Sequence, residues 1–171
     1  MKPVTSIDVM SWMAQAETQA VMNALMAGGQ PARFVGGCVR DALLGLPVKD
    51  IDIATPEPPE RVTELVEQAG LRAIPTGIDH GTITAICNGI PFEVTTLRRD
   101  VETFGRHARV SYTTDWQEDA ARRDLTLNAL YCDPDGTVFD PVGGLADLKE
   151  GRIRFVGDPR IEEVEVFRDQ V

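Results

Sequence analysis

The order of the predicted elements favours an α/β (α+β) fold, in which helices pack on a mixed sheet of about five strands. Three observations predict this class. Residues 32–55 have the pattern of a strand, a glycine turn, a helix and a second strand. Residues 9–27 and 58–70 have the apolar spacing of amphipathic helices. Residues 82–96 form two strand-like runs joined by Asn88-Gly89, the pair preferred in tight hairpins.

The composition is that of a globular chain with one core. The 171 residues are 43% hydrophobic, and a domain of this size buries about two thirds of its unfolded surface. Cys38, Cys87 and Cys132 show no Cys-x-x-Cys spacing, so neither a disulfide framework nor a zinc site is indicated. The sequence has no apolar run of membrane-spanning length and no signal-peptide pattern, which predicts no membrane partner and a cytoplasmic location. The net charge of −10 argues against a broad polyanion-binding surface.

The first helix is predicted from Val9 to Ala27, where Gly28-Gly29 ends it. Such a helix turns its apolar stripe toward a core. A short strand follows from Ala32 to Val35. The stripe consists of Val9, Trp12, Met13, Ala16, Ala20 and Ala24.

The glycine pair Gly36-Gly37 directly precedes a predicted helix over Cys38–Leu44, which Gly45 ends. A helix start leaves backbone N–H groups unpaired, and glycines allow an anion to approach them closely. A phosphate could therefore bind here beside Arg40. The alternative interpretation is an ordinary turn, which is the commoner use of such a pair.

The segment Asp50-Ile51-Asp52-Ile53 alternates polar and apolar residues as a half-buried strand does. Alternation turns Asp50 and Asp52 to one face and the two isoleucines to the core. Adjacent carboxylates repel each other unless a cation lies between them, and their hard oxygen atoms favour Mg²⁺ or Mn²⁺. The alternative interpretation is a solvated strand face.

The hairpin over 82–96 places Glu93 and Thr95 on one face. Residues 98–111 are polar, lack apolar periodicity and contain Gly105, which predicts a long mobile loop. Asp115 can then cap a helix that begins at Trp116.

The last part of the chain is predicted to add smaller elements. The helix from Trp116 runs toward Arg122-Arg123-Asp124. Residues 130–139 form a second hairpin around an Asp-Pro-Asp-Gly turn. A Gly-Gly turn, a short helix and a final strand over Arg152–Phe155 follow.

These motifs, in this order, resemble the class II tRNA nucleotidyltransferase (CCA-adding enzyme) and bacterial poly(A) polymerase family. The first motif lies within residues 36–55 and contains Gly-Gly-x-Val-Arg-Asp and Lys-Asp-Ile-Asp-Ile-Ala-Thr. The second is Arg-Arg-Asp-Leu-Thr-Leu-Asn at 122–128, and the third is Asp-Pro-Val-Gly-Gly-Leu-Ala-Asp-Leu-Lys at 140–149. The resemblance covers residues 34–155 and implies the nucleotidyltransferase fold of the family's N-terminal catalytic head.

The resemblance also implies the site residues. Asp50, Asp52 and Glu93 form the catalytic cluster and hold two Mg²⁺ or Mn²⁺ ions, Glu93 entering through the family-like strand Phe92–Arg98. The predicted loop helps to orient the incoming nucleotide. The nucleotide-binding residues are Gly36, Gly37 and Arg40 for the triphosphate, Arg123 and Asp124 for the ribose, and Asn128 as support.

The activity implied by the resemblance is template-independent addition of CMP and AMP, from CTP and ATP, to the 3′ end of tRNA or another RNA. The alternatives are a poly(A) polymerase, a partial enzyme that adds only A or only C, and an inactive nucleotide-binding or interaction module. We reject a hydrolase, because His80 and His107 lie near no serine or cysteine motif.

The expected domain division is a head over 1–156 and the start of a truncated or altered neck over 157–171. The family continues here into a base-reading helix of the type Arg-Ile-x-Glu-Asp-x-x-Arg. Val164 and Phe167 stand where its Asp and second Arg are expected. We therefore expect this chain alone to bind nucleoside triphosphates but to add nucleotides weakly and without choosing between C and A.

Overall fold

The computed structural model of the protein describes residues 1–102 and 108–157, together with the backbone of residues 164–165. Several predictions fall outside the described residues. They concern Gly105 and His107 in the predicted loop, the start of the base-reading pattern at 160–163, and Phe167.

The described chain consists of short strands and helices around one sheet, with 3-10 turns at Ile78–His80 and Thr126–Asn128. The helices are α1 (Ser11–Ala14), α2 (Ala16–Met26), α3 (Gly37–Leu43), α4 (Pro59–Gln68), α5 (Trp116–Ala121) and α6 (Gly144–Glu150). The strands are β1 (Pro3–Ser6), β2 (Arg33–Val35), β3 (Asp52–Thr55), β4 (Arg72–Gly77), β5 (Thr82–Cys87), β6 (Ile90–Thr96), β7 (Arg98–Glu102), β8 (Ala108–Tyr112), β9 (Tyr131–Cys132), β10 (Thr137–Phe139), β11 (Arg152–Ile153) and β12 (Val164–Glu165).

Eight strands form the main sheet, in the order β1-β10-β9-β2-β3-β6-β5-β4. Strands β3 and β6 are parallel, and the other neighbouring strands of this sheet are antiparallel. The predicted mixed sheet with packed helices is confirmed, although it has more strands than the five expected. The two edge strands were missed because most of their side chains are exposed or half-buried, so they lack the strong alternation that marks a covered strand.

The hydrophobic core lies between one face of the sheet and helices α2 and α4. Side chains from the strands, such as Phe34, Ile53 and Phe92, are fully buried there. Met22 and Leu25 of α2 and Val62 and Val66 of α4 belong to the same cluster. The opposite face carries a second, smaller apolar cluster, in which Ala120 of α5 packs with Val35 and Ala54. Beyond that cluster, this face presents the polar side chains Asp52, Thr84 and Glu93.

The single helix predicted over Val9–Ala27 is instead two helices, separated at Gln15, whose ψ of 139° is extended. The predicted stripe is wrong at two positions, since Val9 is 48% exposed and Ala16 is also exposed. Its other members, Trp12, Met13, Ala20 and Ala24, are buried or packed against the core. Side chains stabilise the break, because the Thr18 hydroxyl donates to the Trp12 carbonyl at 2.6 Å. Periodicity located the apolar region but could not detect a break that depends on a side-chain hydrogen bond.

The mobile loop predicted over 98–111 is wrong for its described residues. They form the antiparallel pair β7–β8, which is a separate two-stranded sheet. The hairpin is attached to α5, where Asp119 accepts a hydrogen bond from the Arg98 backbone N–H at 3.1 Å. A hairpin held by pairing and by one distant carboxylate does not need the apolar alternation that predicts a strand.

Two further local predictions, the β5–β6 hairpin and the cap at Asp115, are confirmed. The β5–β6 hairpin has the predicted ends, and its turn residues Asn88 and Gly89 have φ values of 50° and 78°. Asp115 caps α5 by accepting a hydrogen bond from the Gln117 N–H at 2.9 Å. The three cysteines are buried. Within the described residues, every helix is too short or too polar to cross a bilayer.

Candidate active site

The predicted carboxylates meet where β3 and β6 run parallel. The register places Asp52 directly opposite Glu93. Strand β3 begins at Asp52 rather than Asp50, but the pairing extends back one residue because the Glu93 N–H donates to the Ile51 carbonyl at 3.2 Å. Ile51 and Ile53 point into the core as predicted. Asp50 is exposed at the end of this pair.

Asp52 lies in an unfavourable electrostatic environment. Burial raises the pKa of Asp52 to about 6, and the negative charge and hydrogen bond of Glu93, with a contribution from Asp50, act in the same direction. The positive charge of Arg123 opposes this rise. Each of two neighbouring carboxylates disfavours ionisation of the other, and a bound cation would relieve this repulsion.

The donor chemistry of these carboxylates fits a hard divalent cation. However, no group of three or more acidic, histidine or cysteine side chains in the described part of the chain is close enough together to hold a metal ion. Asp52 and Glu93 form a pair, and Asp50 lines the same cleft. Metal binding by all three residues stays a prediction.

Two cavities, each of about 360 Å³, flank the carboxylates, and Asp50 and Asp52 line both. The first, which we call the hairpin-side cavity, is lined by Asp50, Ile51, Asp52, Thr84, Pro91 and Glu93. The second, the helix-side cavity, is lined by Gly37, Cys38, Arg40, Asp41, Pro47, Lys49, Asp50 and Asp52.

The helix-side cavity contains part of the predicted phosphate site. Gly36 has a φ of 78°, a conformation that favours glycine, and it directly precedes α3. Its N–H donates to the Leu130 carbonyl at 3.3 Å, so this amide already has a partner. The cavity is bordered by the backbone of Gly37 and by the cationic side chains of Arg40 and Lys49.

Three of the predicted nucleotide-binding residues share one hydrogen-bond network. Arg40 donates through Nη1 to Asn128 Oδ1 at 3.0 Å, and Asn128 Nδ2 donates to Asp124 Oδ1 at 3.3 Å. Arg40 Nε also donates to Asp41 at 3.0 Å. The first and second sequence motifs, far apart along the chain, therefore meet beside the helix-side cavity.

Arg123 does not join this network. Its Nη2 donates to Asp119 Oδ2 at 3.1 Å, and the Tyr131 hydroxyl donates to the same oxygen at 2.6 Å. Arg122 donates to the other oxygen of Asp119 at 3.1 Å. Asp119 is 1% exposed. Arg123 thus has a buried anchor, while its charge still acts on Asp52.

The pKa of Asp119 is lowered although the residue is buried. Burial by itself would raise this pKa, but the positive charges of Arg123 and Arg122, the Tyr131 hydroxyl and the Arg98 backbone N–H together outweigh it. Asp119 is therefore held in its ionised form by its surroundings.

The sequence prediction missed three residues near the site. Lys49 lines the helix-side cavity, and its position directly before Asp50 in the sequence could have indicated this. Asp119 precedes Arg122 and Arg123 by three and four residues, the spacing of helical ion pairs. Thr84 lies opposite Glu93, which could have been deduced by counting back from the two-residue turn.

Comparison with known proteins gives a consistent family match. Residues 32–154 match the family described as "Poly A polymerase head domain". The chain is 52% identical over 134 residues to the mouse (Mus musculus) protein named "CCA tRNA nucleotidyltransferase 1, mitochondrial", which covers 77% of this chain and 31% of that protein. It is 43% identical over 141 residues to the CCA-adding enzyme of Bacillus pumilus, covering 81% and 34% respectively.

Solved structures agree with these relatives. The Bacillus stearothermophilus CCA-adding enzyme, crystallised with CTP, superposes with a TM-score of 0.73 at 38% identity, over 82% of this chain and 33% of that one. A tRNA nucleotidyltransferase complexed with a primer tRNA and an incoming ATP analog gives a TM-score of 0.62 at 33% identity, over 80% and 38%. The chain spans about a third of the length of the relatives it matches.

Proposed function

This chain belongs to the CCA-adding enzyme and poly(A) polymerase family, and from that membership we propose that it is the catalytic head of a template-independent tRNA nucleotidyltransferase. Its substrates would be CTP, ATP and the 3′ end of a tRNA. The family's fold is present, with helices α2 and α4 on one face of the mixed sheet and the carboxylates on the opposite face. Relatives that are crystallised with CTP or with a primer tRNA support this choice of substrates.

One observation carries the proposal, namely that Asp52 and Glu93 are paired by the parallel register next to a cavity whose lining includes the cations Arg40 and Lys49. Phosphoryl transfer consists largely of positioning and charge stabilisation. A rigid pair of carboxylates beside Arg40 and Lys49 supplies both requirements within a single cleft.

In the proposed reaction the 3′-hydroxyl of the RNA loses its proton to solvent as its oxygen attacks the α-phosphate. A phosphodiester bond forms, the bond from the α-phosphorus to the bridging oxygen breaks, and pyrophosphate leaves. Arg40 and Lys49 bind and orient the triphosphate by charge, beside the backbone of Gly36 and Gly37. Asp50, Asp52 and Glu93 would hold divalent cations, Mg²⁺ or Mn²⁺, which lower the pKa of the attacking hydroxyl and neutralise the leaving group.

The ribose of the incoming nucleotide would be read by the second motif. Asp124 and Asn128 are hydrogen-bonded to each other and, through Asn128, to Arg40. Arg123 is fixed by Asp119 and would orient the nucleotide through its charge. A ribose hydroxyl that reaches Asp124 would complete hydrogen bonds that a deoxynucleotide cannot make.

The domain division at residue 156 is also a proposal. The backbone N–H of Val156 donates to the Asp124 carbonyl at 2.9 Å, and Phe155 forms a β-bridge with Leu125. These contacts support a head that extends to residue 156. The cytoplasmic location stays a prediction, since the mouse relative has a mitochondrial name.

The direct test is to supply the chain with a tRNA lacking its CCA end and to measure incorporation of labelled CMP and AMP. Asp52→Asn should abolish incorporation, while Glu64→Gln, on the exposed side of α4, should not change it. The 171-residue chain is expected to incorporate slowly, so its rate should be compared with that of a head joined to the remaining domains of a relative.

The nucleotide mixture separates the alternatives. Long products from ATP alone would indicate a poly(A) polymerase, which the name of the matching head family makes a specific alternative. Products limited to C or to A would indicate a partial enzyme. Equal incorporation by wild type and Asp52→Asn, or none by the joined protein, would contradict the proposed function.

A further inference from the structure

We infer that the hairpin-side cavity receives the 3′-terminal ribose of the acceptor RNA and that the Thr84 hydroxyl positions it. The inference rests on the proposed function, because it assigns the second substrate of the same site. It starts from the difference in chemistry between two cavities of equal volume that share Asp50 and Asp52.

Charge separates the two cavities. Three carboxylates line each cavity, but the described lining of the hairpin-side cavity contains no cation, whereas the helix-side cavity also has Arg40 and Lys49. A triphosphate is a polyanion, so the first cavity would repel it more strongly than the second, where two cations offset most of the carboxylate charge. The reacting end of an RNA is a neutral diol, so it can lie among carboxylates at little electrostatic cost.

The positions of the nucleotide-binding groups lead to the same assignment. Arg40, Asn128 and Asp124 form one network beside the helix-side cavity. An incoming nucleotide held by that network occupies the α3 side of Asp52. The attacking hydroxyl has to reach the α-phosphate from a different direction, and the hairpin-side cavity opens on the other side of the same carboxylate.

Thr84 is fixed in line with the catalytic pair. Across three neighbouring strands, Asp52 faces Glu93 and Glu93 faces Thr84, which places these side chains in one row on one face of the sheet. Thr84 is 8% exposed, and its hydroxyl shares a 2.6 Å hydrogen bond with the Thr76 hydroxyl. A hydroxyl can take part in further hydrogen bonds, so the one on Thr84 can still bind a sugar hydroxyl.

Pro91 supplies the apolar wall of this cavity. It is exposed, lies two residues before Glu93 on β6, and therefore projects from the same face. A rigid ring beside a row of polar groups suits a nucleoside, which has an apolar sugar face and a polar edge. In this cavity Pro91 would therefore contact the sugar, and the Thr84 hydroxyl would bind the 2′,3′-diol of that sugar.

The experiment uses the ¹⁵N-labelled 171-residue chain with Mg²⁺ and the nontransferable analogue α,β-methylene ATP. With the analogue saturating, the chain is titrated with a short oligoribonucleotide that ends in a 2′,3′-diol, and amide shifts are followed. The analogue should shift Gly37, Arg40 and Asn128. The oligoribonucleotide should then shift Thr84 and Glu93.

Substitutions test the role of the hydroxyl. Thr84→Val keeps the shape and should weaken binding of the diol oligonucleotide about fivefold, the effect of one hydrogen bond, without changing affinity for the analogue. Thr84→Ser keeps the hydroxyl and should bind the oligonucleotide about as well as wild type does. Thr82→Val, on the same face of β5 but outside the cavity lining, is the matched control and should bind as wild type does.

The outcomes are separable. Shifts of Thr84 by the analogue alone, or equal diol binding by wild type and Thr84→Val, would overturn the inference and leave the proposed function standing. Absence of binding by both probes would count against the proposed function itself. If the amide spectrum shows that Thr84→Val does not fold as wild type does, Pro91→Ala, a change at an exposed residue, replaces it as the test. Pro91→Ala should weaken oligonucleotide binding. Unchanged binding would contradict the assignment of the RNA end to this cavity.

Discussion

Asp52 is half-buried and Asp119 is buried, and the surroundings of these two aspartates shift their pKa values in opposite directions. Asp119 has donors from four residues around it, and its pKa is lowered. Asp52 has another carboxylate beside it, and burial together with that neighbour raises its pKa to about 6. The Asp119 cluster stabilises the fold, whereas the Asp52 pair is held by the fold at the expense of stability, as expected where a bound cation or substrate is needed.

The largest expected effect on stability is at Asp119. Asp119→Ala should lower the free energy of unfolding by about 3–5 kcal/mol, because it leaves two partly buried arginines and the Tyr131 hydroxyl without their shared acceptor. Urea unfolding measures the change. Its neighbour Glu118 is 38% exposed, so Glu118→Ala should cost under about 1 kcal/mol. Similar losses for the two variants would remove the contrast.

The acid dependence of stability should follow Asp119. A carboxyl whose folded pKa lies below its unfolded value contributes stability that is fully present above the unfolded pKa and is lost as the pH falls through the folded pKa. Wild type should therefore lose stability at acid pH, and Asp119→Asn should flatten that limb. Parallel curves for wild type and Asp119→Asn across this range would show that the cluster does not control acid unfolding.

A smaller effect of opposite sign is expected at Asp52. With divalent ions removed by a chelator, Asp52→Asn should raise the free energy of unfolding at neutral pH by about 1 kcal/mol after allowance for solvent screening, because it removes one of two adjacent negative charges. Added Mg²⁺ should then raise the melting temperature of wild type more than that of the variant. A loss of stability in Asp52→Asn would mean that the carboxylate is structurally required.

The smallest expected effect tests an exposed ion pair on the β7–β8 hairpin. Arg99 Nη1 lies 3.4 Å from Glu118, and the two side chains are 57% and 38% exposed. Arg99→Ala should change the free energy of unfolding by about 0.5 kcal/mol or less. A change as large as that of Asp119→Ala would show that the hairpin is anchored through Arg99 rather than through the buried carboxylate.

The two hairpins show which parts of the fold the sequence could predict. The β5–β6 hairpin has one face in the core and a two-residue Asn-Gly turn, so alternation and turn chemistry together gave its ends. The β7–β8 hairpin forms its own sheet and is attached through Asp119, which lies on another element. Local patterns do not contain that long-range contact, and a loop was predicted in its place.

The candidate site divides in the same way. The motifs gave the positions of Asp52, Glu93 and Arg40 because each lies in a local pattern of a strand or a helix start. The anchor of Arg123 and the row that contains Thr84 depend on contacts between elements. Such contacts depend on which strands become neighbours, and no single segment of the sequence specifies that.

The parallel pairing of β3 with β6 has a further consequence for how the candidate site assembles. Antiparallel partners can be joined by a tight turn, but Asp52 and Glu93 come together only after the chain closes a loop of about forty residues, an entropically costly step that slows folding. Helix α4 and the β4 and β5 strands lie within this loop. A chain in which β3 and β6 are unpaired or misregistered therefore cannot carry the assembled carboxylate pair, so recovery of the proposed activity during refolding would report the pairing of these two strands.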